Sequence, residues 1–284
     1  MRWSVVGAGG MLGRDVVARL AARGDDVAAL GRADLDVTSL ADCRERLRGS
    51  DVVVNCAAHT AVDAAETEEA AAFAVNAQGA WNVALGAAAA GARLLHVSTD
   101  YVFDGAADRP YDAEAPQAPR SAYGRTKAAG EWAVRASGAD ALVVRTAWLY
   151  GEHGGCFPKT IARAGGQRGA LSVVDDQFGQ PTWTVDVARI LTDLVDRSAP
   201  SGAYHATSGG AASWFEFAGA VLAAAGLDAV ELSATTSAEF VRPAPRPAYS
   251  VLDHGSLRAA GVDPVGDWRE RWAAAAPAVL ADAR

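Results

Sequence analysis

Tyr123 and Lys127 stand four residues apart at the start of a segment with helical spacing, Ser121–Ser137. Side chains at that spacing project from one face of a helix, so a phenol and an ammonium lie side by side. A free phenol has a pKa near ~10. A neighbouring ammonium stabilises the phenolate and lowers that value, which brings proton exchange with a substrate oxygen within reach near neutrality. Alone, a Y-x-x-x-K pair describes a surface tyrosine beside a solvated lysine equally well. The company it keeps decides the matter. Thr99 closes an apolar run, Arg93–Ser98, that reads as a strand, and its hydroxyl can hydrogen-bond a carbonyl. A hydroxyl, a phenol and an ammonium in this order suit the protonation of a carbonyl oxygen while hydride arrives at its carbon.

A binding site for the hydride carrier is written at the other end of the domain. Gly7, Gly10 and Gly13 form G-x-x-G-x-x-G between an apolar run, Trp3–Val6, and a helical pattern, Met11–Arg23. Gly7 permits the tight turn, Gly10 lets backbone approach a pyrophosphate, and Gly13 allows close helix–strand packing. The helix start offers free N–H groups and a positive dipole end to the phosphates. This wider glycine spacing is that of short-chain dehydrogenases. The second strand runs out in Leu30-Gly31-Arg32, with no acidic residue to take both ribose hydroxyls. Arg32 can pair with a 2′-phosphate, which favours NADPH and leaves NADH open.

Positioning these groups needs a strand-and-helix framework, and the first half of the chain supplies one. Strands are expected at Trp3–Val6, Val27–Leu30, Asp51–Asn55, Arg93–Ser98 and Ala141–Thr146, alternating with helices at Met11–Arg23, Ser39–Arg48, Glu68–Ala90 and Ser121–Ser137. That alternation predicts an α/β, Rossmann-like, doubly wound parallel sheet with a smaller C-terminal substrate-binding lobe. Beyond Tyr150, glycines and the proline-rich Arg242–Pro247 break the pattern into shorter elements, among them strands at Leu171–Val174 and Ala203–His205 and a helix at Trp214–Ala225. The expected division is 1–150 plus roughly 180–208 for the dinucleotide, with 151–179 and 209–284 for the substrate.

Composition removes other classes. A net charge of −8 repels nucleic acid and anionic membranes. Cys43, Cys56 and Cys156 are too few and too scattered for a disulfide framework, which fits a reducing compartment. The first residues lack the pattern of a secretory signal and no apolar stretch is long enough to span a bilayer, so a cytoplasmic protein is expected. The five histidines show no metal-ligand spacing, and no metal is expected.

The segments Ser98-Thr99-Asp100-Tyr101-Val102-Phe103-Asp104-Gly105, Tyr123-Gly124-Arg125-Thr126-Lys127 and Asp176-Gln177-Phe178-Gly179-Gln180-Pro181-Thr182 resemble the dTDP-4-dehydrorhamnose reductase family. So do Asn55–Glu66 with Val75-Asn76, Arg145–Gly151, Gly202–His205 and Arg246–Ser250, so that the likeness covers nearly the whole chain. It implies reduction of the 4-keto group of dTDP-4-dehydro-6-deoxy-L-mannose to dTDP-L-rhamnose, with Thr99, Tyr123 and Lys127 catalytic and Tyr123 as proton donor. It places cofactor contacts on Gly7, Gly10, Met11, Leu12 and Gly13, on Asp36 and Val37 near the adenine, and on Ala57, Ala58, Thr60 and Lys127 along the phosphates and ribose. Asp100, Tyr101 and Trp148 would meet the sugar. A diphosphate needs cations besides, for which Lys159, Arg163 and above all Arg246 are candidates. Cys156 stands where the family usually carries Asn, which leaves the sugar open. A 4-ketoreductase for another dTDP-deoxyhexose of natural-product biosynthesis, a non-catalytic NADP-binding regulatory protein, and an epimerase or dehydratase are the alternatives. A monomer or homodimer is expected.

Overall fold

A computed structural model describes residues 1–282. The first half is β1 (Arg2–Val6), α1 (Met11–Ala22), β2 (Asp26–Leu30), α2 (Leu40–Arg46), β3 (Val52–Asn55), α3 (Glu69–Phe73), α4 (Ala80–Ala90), β4 (Arg93–Thr99), α5 (Ala122–Ala136) and β5 (Ala141–Thr146). The second half adds β6 (Leu149–Tyr150), α6 (Phe157–Arg168), β7 (Ala170–Val174), β8 (Phe178–Gly179), β9 (Thr182–Trp183), α7 (Thr184–Asp196), β10 (Gly202–His205), β11 (Ala212–Ser213), α8 (Trp214–Ala224), β12 (Glu231–Thr235), α9 (Gly255–Ala259) and α10 (Trp268–Val279). No helix among the described residues is long and apolar enough to cross a membrane.

Six strands form one parallel sheet in the order β10-β5-β4-β3-β1-β2. The strands are short valine- and leucine-rich runs because both faces are covered. Successive residues feed opposite layers. Val5 and Leu95 pack with Leu12 and Val16 of α1 and Leu191 of α7, whereas Val6 and Leu94 pack against α2 and α4. The order reverses between β2 and β3 on either side of β1, and this opens a crevice at the strands' carboxyl ends, where such sheets take ligands.

Two elements depart from the sequence expectation. Glu68–Ala90 is not one regular helix: a wide π-turn, Ala74–Gly79, separates α3 from α4. Alanine periodicity carries no mark of it. Beyond Tyr150 the elements are longer than the glycines suggested, since α6 runs for 12 residues through Gly165 and Gly166. A Cβ on Gly165 would lie 2.7 Å from Leu222 Cδ2, so this glycine lets α6 press against α8. Ile161, Phe217, Trp268 and Trp272 fill the core of this second lobe.

Candidate active site

Helix α5 is fixed before it presents any chemistry. Ser121 caps it by accepting from the Gly124 amide at 3.0 Å, and the Ala122 amide donates to Glu66 Oε1 at 2.8 Å. Its buried stripe comprises Tyr123, Thr126, Lys127, Gly130, Glu131 and Val134. At Gly124 and Gly130 neighbouring carbonyls come so near that a Cβ would sit 2.3 Å from Tyr101 O and 2.1 Å from Asn76 O. Asn76, on the π-turn, binds the His59 backbone in both directions at 2.8 and 3.1 Å and donates to Thr126 Oγ1 at 3.0 Å. Thr126 then donates to the Tyr123 carbonyl at 2.8 Å. The π-turn thus ties the loop after β3 to the tyrosine's own turn of helix.

Tyr123, Thr99 and Asp100 meet where β4 ends. The Thr99 hydroxyl donates to Asp100 Oδ1 at 2.9 Å, accepts from the Tyr101 amide at 3.3 Å, and neighbours the Tyr123 phenol. The Tyr101 ring stands edge-on to Tyr123, with centroids 5.6 Å apart. Burial pushes the Asp100 carboxyl up to about 6, the neighbouring Ser250 and Thr99 hydroxyls oppose the rise, and its Oδ2 has no hydrogen-bond partner. The expected lowering of the phenol by Lys127 is corrected here. Burial holds Tyr123 above its ordinary value, the Thr99 hydroxyl pulls it part of the way back, and the Asp100 charge adds to the rise. The reason is where the ammonium goes: Lys127 Nζ donates to the Val97 carbonyl at 2.7 Å, two residues before Thr99 on β4. Burial brings Lys127 itself down to about 8, against the opposing pull of Glu131.

The glycine loop has the geometry its spacing predicted. Gly7 adopts φ +77° and a Cβ there would strike Ala57 N at 2.7 Å, while one on Gly13 would strike Gly7 O at 2.3 Å. Gly10 differs, because a Cβ there would meet nothing nearer than Gly7 O at 3.4 Å. No side chain caps α1, so the first-turn amides around Met11, Leu12 and Gly13 are left for a ligand. Ala57 N donates to Asn55 Oδ1 at 3.1 Å, and Asn55 in turn meets His96 Nδ1 at 3.2 Å. Burial, then Lys127, holds His96 neutral. Ala58 is half-buried and Thr60 exposed on the loop that Asn76 fixes. Asp36 is exposed and accepts from Thr38, and the Val37 carbonyl accepts from Asn82 at 3.0 Å. Arg32 is exposed after β2 and makes no ion pair among the described residues. An open backbone cradle on a helix start, flanked by a free guanidinium, fits a dinucleotide phosphate.

On the sugar side, Tyr101 and Arg246 line one recess with Phe103 and Pro247. Arg246 pairs with Asp63 Oδ1 at 2.9 Å, and Arg242 reaches the same carboxylate. Trp148 has φ 46°, unusual for a bulky residue, and stacks on Trp214 at 3.5 Å. Gly179 leaves the room, since a Cβ there would be 2.5 Å from the indole. Lys159 instead donates to the Glu152 carbonyl, and Arg163 borders a separate groove with Leu227 and Leu280. Cys156 turns its thiol to the Gly151 carbonyl at 3.8 Å and packs in the second core. Asn76, Glu131, Asp63 and Trp214 were not singled out from the sequence as site residues. Their partners are distant in the chain, and the only signal is that Asp63 and Asn76 fall in the family-like segments Asn55–Glu66 and Val75-Asn76.

Residues 1–280 match the family model described as the RmlD substrate binding domain. A Streptomyces antibioticus protein named "Probable dTDP-4,6-dihydroxy-2-methyloxan-3-one 4-ketoreductase" is 48% identical, with 99% of this chain and 96% of that one covered. A dTDP-4-dehydrorhamnose reductase of Streptomyces griseus is 46% identical over 98% of this chain and 94% of its own. The crystal structure of dTDP-4-dehydrorhamnose reductase from Bacillus anthracis in complex with NADP superposes with a TM-score of 0.93 at 36% identity, covering 96% of this chain and 98% of that one.

Proposed function

The chain belongs to the RmlD substrate binding domain family and is an NAD(P)H-dependent reductase of dTDP-4-keto sugars, and we propose that its substrate is dTDP-4-dehydro-6-deoxy-L-mannose, reduced to dTDP-L-rhamnose. The observation that carries this reading is the meeting of Thr99, Asp100 and Tyr123 at the end of β4, with Lys127 one turn further along α5. NADPH bound at the glycine loop would supply hydride to the carbonyl carbon. The Thr99 hydroxyl orients the carbonyl oxygen. Tyr123 breaks its O–H bond and gives the proton to that oxygen as negative charge develops there. A phenol raised by burial remains a competent acid, because the alcohol formed on protonating the alkoxide is a weaker acid still. It also stays protonated across the physiological range. Lys127 offers its remaining N–H groups to the nicotinamide ribose, and Arg246 stands beside Tyr101 for the diphosphate. We assign 1–150 with 180–208 to the dinucleotide and the rest to the sugar nucleotide, and place the protein in the cytoplasm, where its three free cysteines stay reduced.

The S. antibioticus relative and Cys156 favour a second reading, a 4-ketoreductase for another dTDP-deoxyhexose. Purified protein assayed with NADPH against dTDP-4-dehydrorhamnose and several other dTDP-4-keto-6-deoxyhexoses separates the two by their kcat/KM. Turnover of none of them would defeat both. NADPH is the expected cofactor. Arg32→Ala should raise the Kd for NADPH about tenfold, as expected for a lost charge-assisted contact, and leave that for NADH within about twofold. Cofactor fluorescence titrations read both, and an equal change for the two dinucleotides would remove Arg32 from the 2′-phosphate site.

A further inference from the structure

We propose that Glu131 is a positioning residue for Lys127: its carboxylate, one helical turn along α5, keeps the lysine ammonium charged inside the protein. The inference rests on the reading of Lys127 as a ligand of the reduced dinucleotide. Lys127 is 2% exposed and Glu131 is fully buried. An ammonium removed from water to this degree reverts to the amine unless an opposite charge stands near it.

Strand β4 holds the two side chains at adjacent residues. The Val97 carbonyl takes Lys127 Nζ at 2.7 Å, and the next residue, Ser98, donates its hydroxyl to Glu131 Oε1 at 2.6 Å. Tyr123, Lys127 and Glu131 therefore follow at i, i+4 and i+8 along one stripe of α5, over three consecutive residues of one strand. Glu131 cannot turn away. Arg145 grips both its oxygens at 2.9 and 2.8 Å, and Gln117 donates to Oε2 at 2.5 Å. Arg145 is itself held by the Ala113 carbonyl at 2.7 Å and lies over the Phe103 ring. This guanidinium is the ion-pair partner of the buried carboxylate.

Apart from the Glu131–Arg145 pair, the groups facing Lys127 supply no charge. From beyond β3 comes Cys56, whose thiol burial pushes up to about 12. From β4 comes His96, held neutral, and from α5 the protonated Tyr123. Glu131 is the one anion acting on the ammonium among these groups, and its pull opposes the burial that brings Lys127 down to about 8.

The test is the pH dependence, from about pH 6 to about pH 10, of two quantities: kcat/KM for a dTDP-4-keto sugar, and NADPH affinity by fluorescence. Both should fall in the wild type as pH rises through about 8, as Lys127 loses its proton. In Glu131→Gln both alkaline limbs should move down by about one to two pH units, a tenfold or greater loss at pH 8 relative to the plateau. Glu131→Asp keeps the charge and should keep the limb. Glu131→Gln strands Arg145 and can fail to fold, so the double variant Glu131→Gln/Arg145→Met is measured too; a cation leaves with the anion there, and its limb should move down in the same direction but by less. A profile lowered in height but unmoved along the pH axis overturns the proposal. So does the loss of folded protein in both Gln variants, which would make the role structural. A wild type that binds NADPH but reduces no keto sugar defeats the functional reading alone, and the affinity profile still reports on Lys127.

Discussion

Tyr123→Phe is expected to lower kcat for keto-sugar reduction by about 10²–10⁴-fold, the span typical of losing a positioned general acid, while NADPH affinity stays within about twofold. The ring is retained, and with it the edge-on contact to Tyr101 at 5.6 Å and the buried stripe of α5. Only the hydroxyl that faces Thr99 disappears. The loss should therefore fall on the proton-transfer step and leave dinucleotide binding, which we assign to the glycine loop and Lys127. Single-turnover reduction beside a fluorescence titration separates the two quantities. Full turnover in the Phe variant would make the tyrosine a bystander. A wild type that binds dinucleotide and turns over no sugar would point to a regulatory protein instead.

Gly13→Ala should be the most damaging change in the dinucleotide half. The new Cβ would sit 2.3 Å from Gly7 O and 2.8 Å from Ala8 Cα, both backbone atoms that no side-chain rotation can move. Helix α1 must shift away from the loop. Overpacking of this kind costs about 3 kcal/mol, and it spoils the alignment of the first-turn amides, so NADPH affinity should drop at least about tenfold along with the melting temperature. Gly10→Ala provides the contrast. Its Cβ would meet protein no nearer than 3.4 Å and would point into the space left for phosphate. That variant should lose affinity and keep its thermal midpoint. If calorimetry and titration showed both variants equally stable and equally tight in binding, the loop would have no part in either packing or phosphate recognition.

The groups proposed to react and to hold the dinucleotide are legible from local pattern. Each of Gly7, Gly10, Gly13, Thr99, Tyr123 and Lys127 is tied to an element boundary that the sequence marks, either the end of an apolar run or the start of a helical one. Those boundaries follow from side-chain periodicity and from the backbone freedom of glycine, which act over a few residues. Trp148 was legible only by family likeness. Its φ of 46° and its stack on Trp214 depend on Gly179, which lies 31 positions away in the chain and shows no such role in its own neighbourhood.

Protonation behaviour was not legible. Adjacency of Tyr123 and Lys127 suggested that the cation would make the phenol more acidic, yet burial raises the phenol and the ammonium is spent on the Val97 carbonyl. Desolvation depends on everything packed around a group, and spacing along one helix says nothing about that. In the same way Asn76 reaches His59 and Thr126 only because a π-turn swings it there, and Glu131 meets Arg145 only once α5 lies across β4 and β5. The amino-acid sequence by itself determined the fold class and marked out the groups proposed to react, since both arise from short-range periodicity and chemistry. Tertiary structure decided which proton each group holds and what keeps it in place, because burial and charge pairing are sums over neighbours distant in the chain.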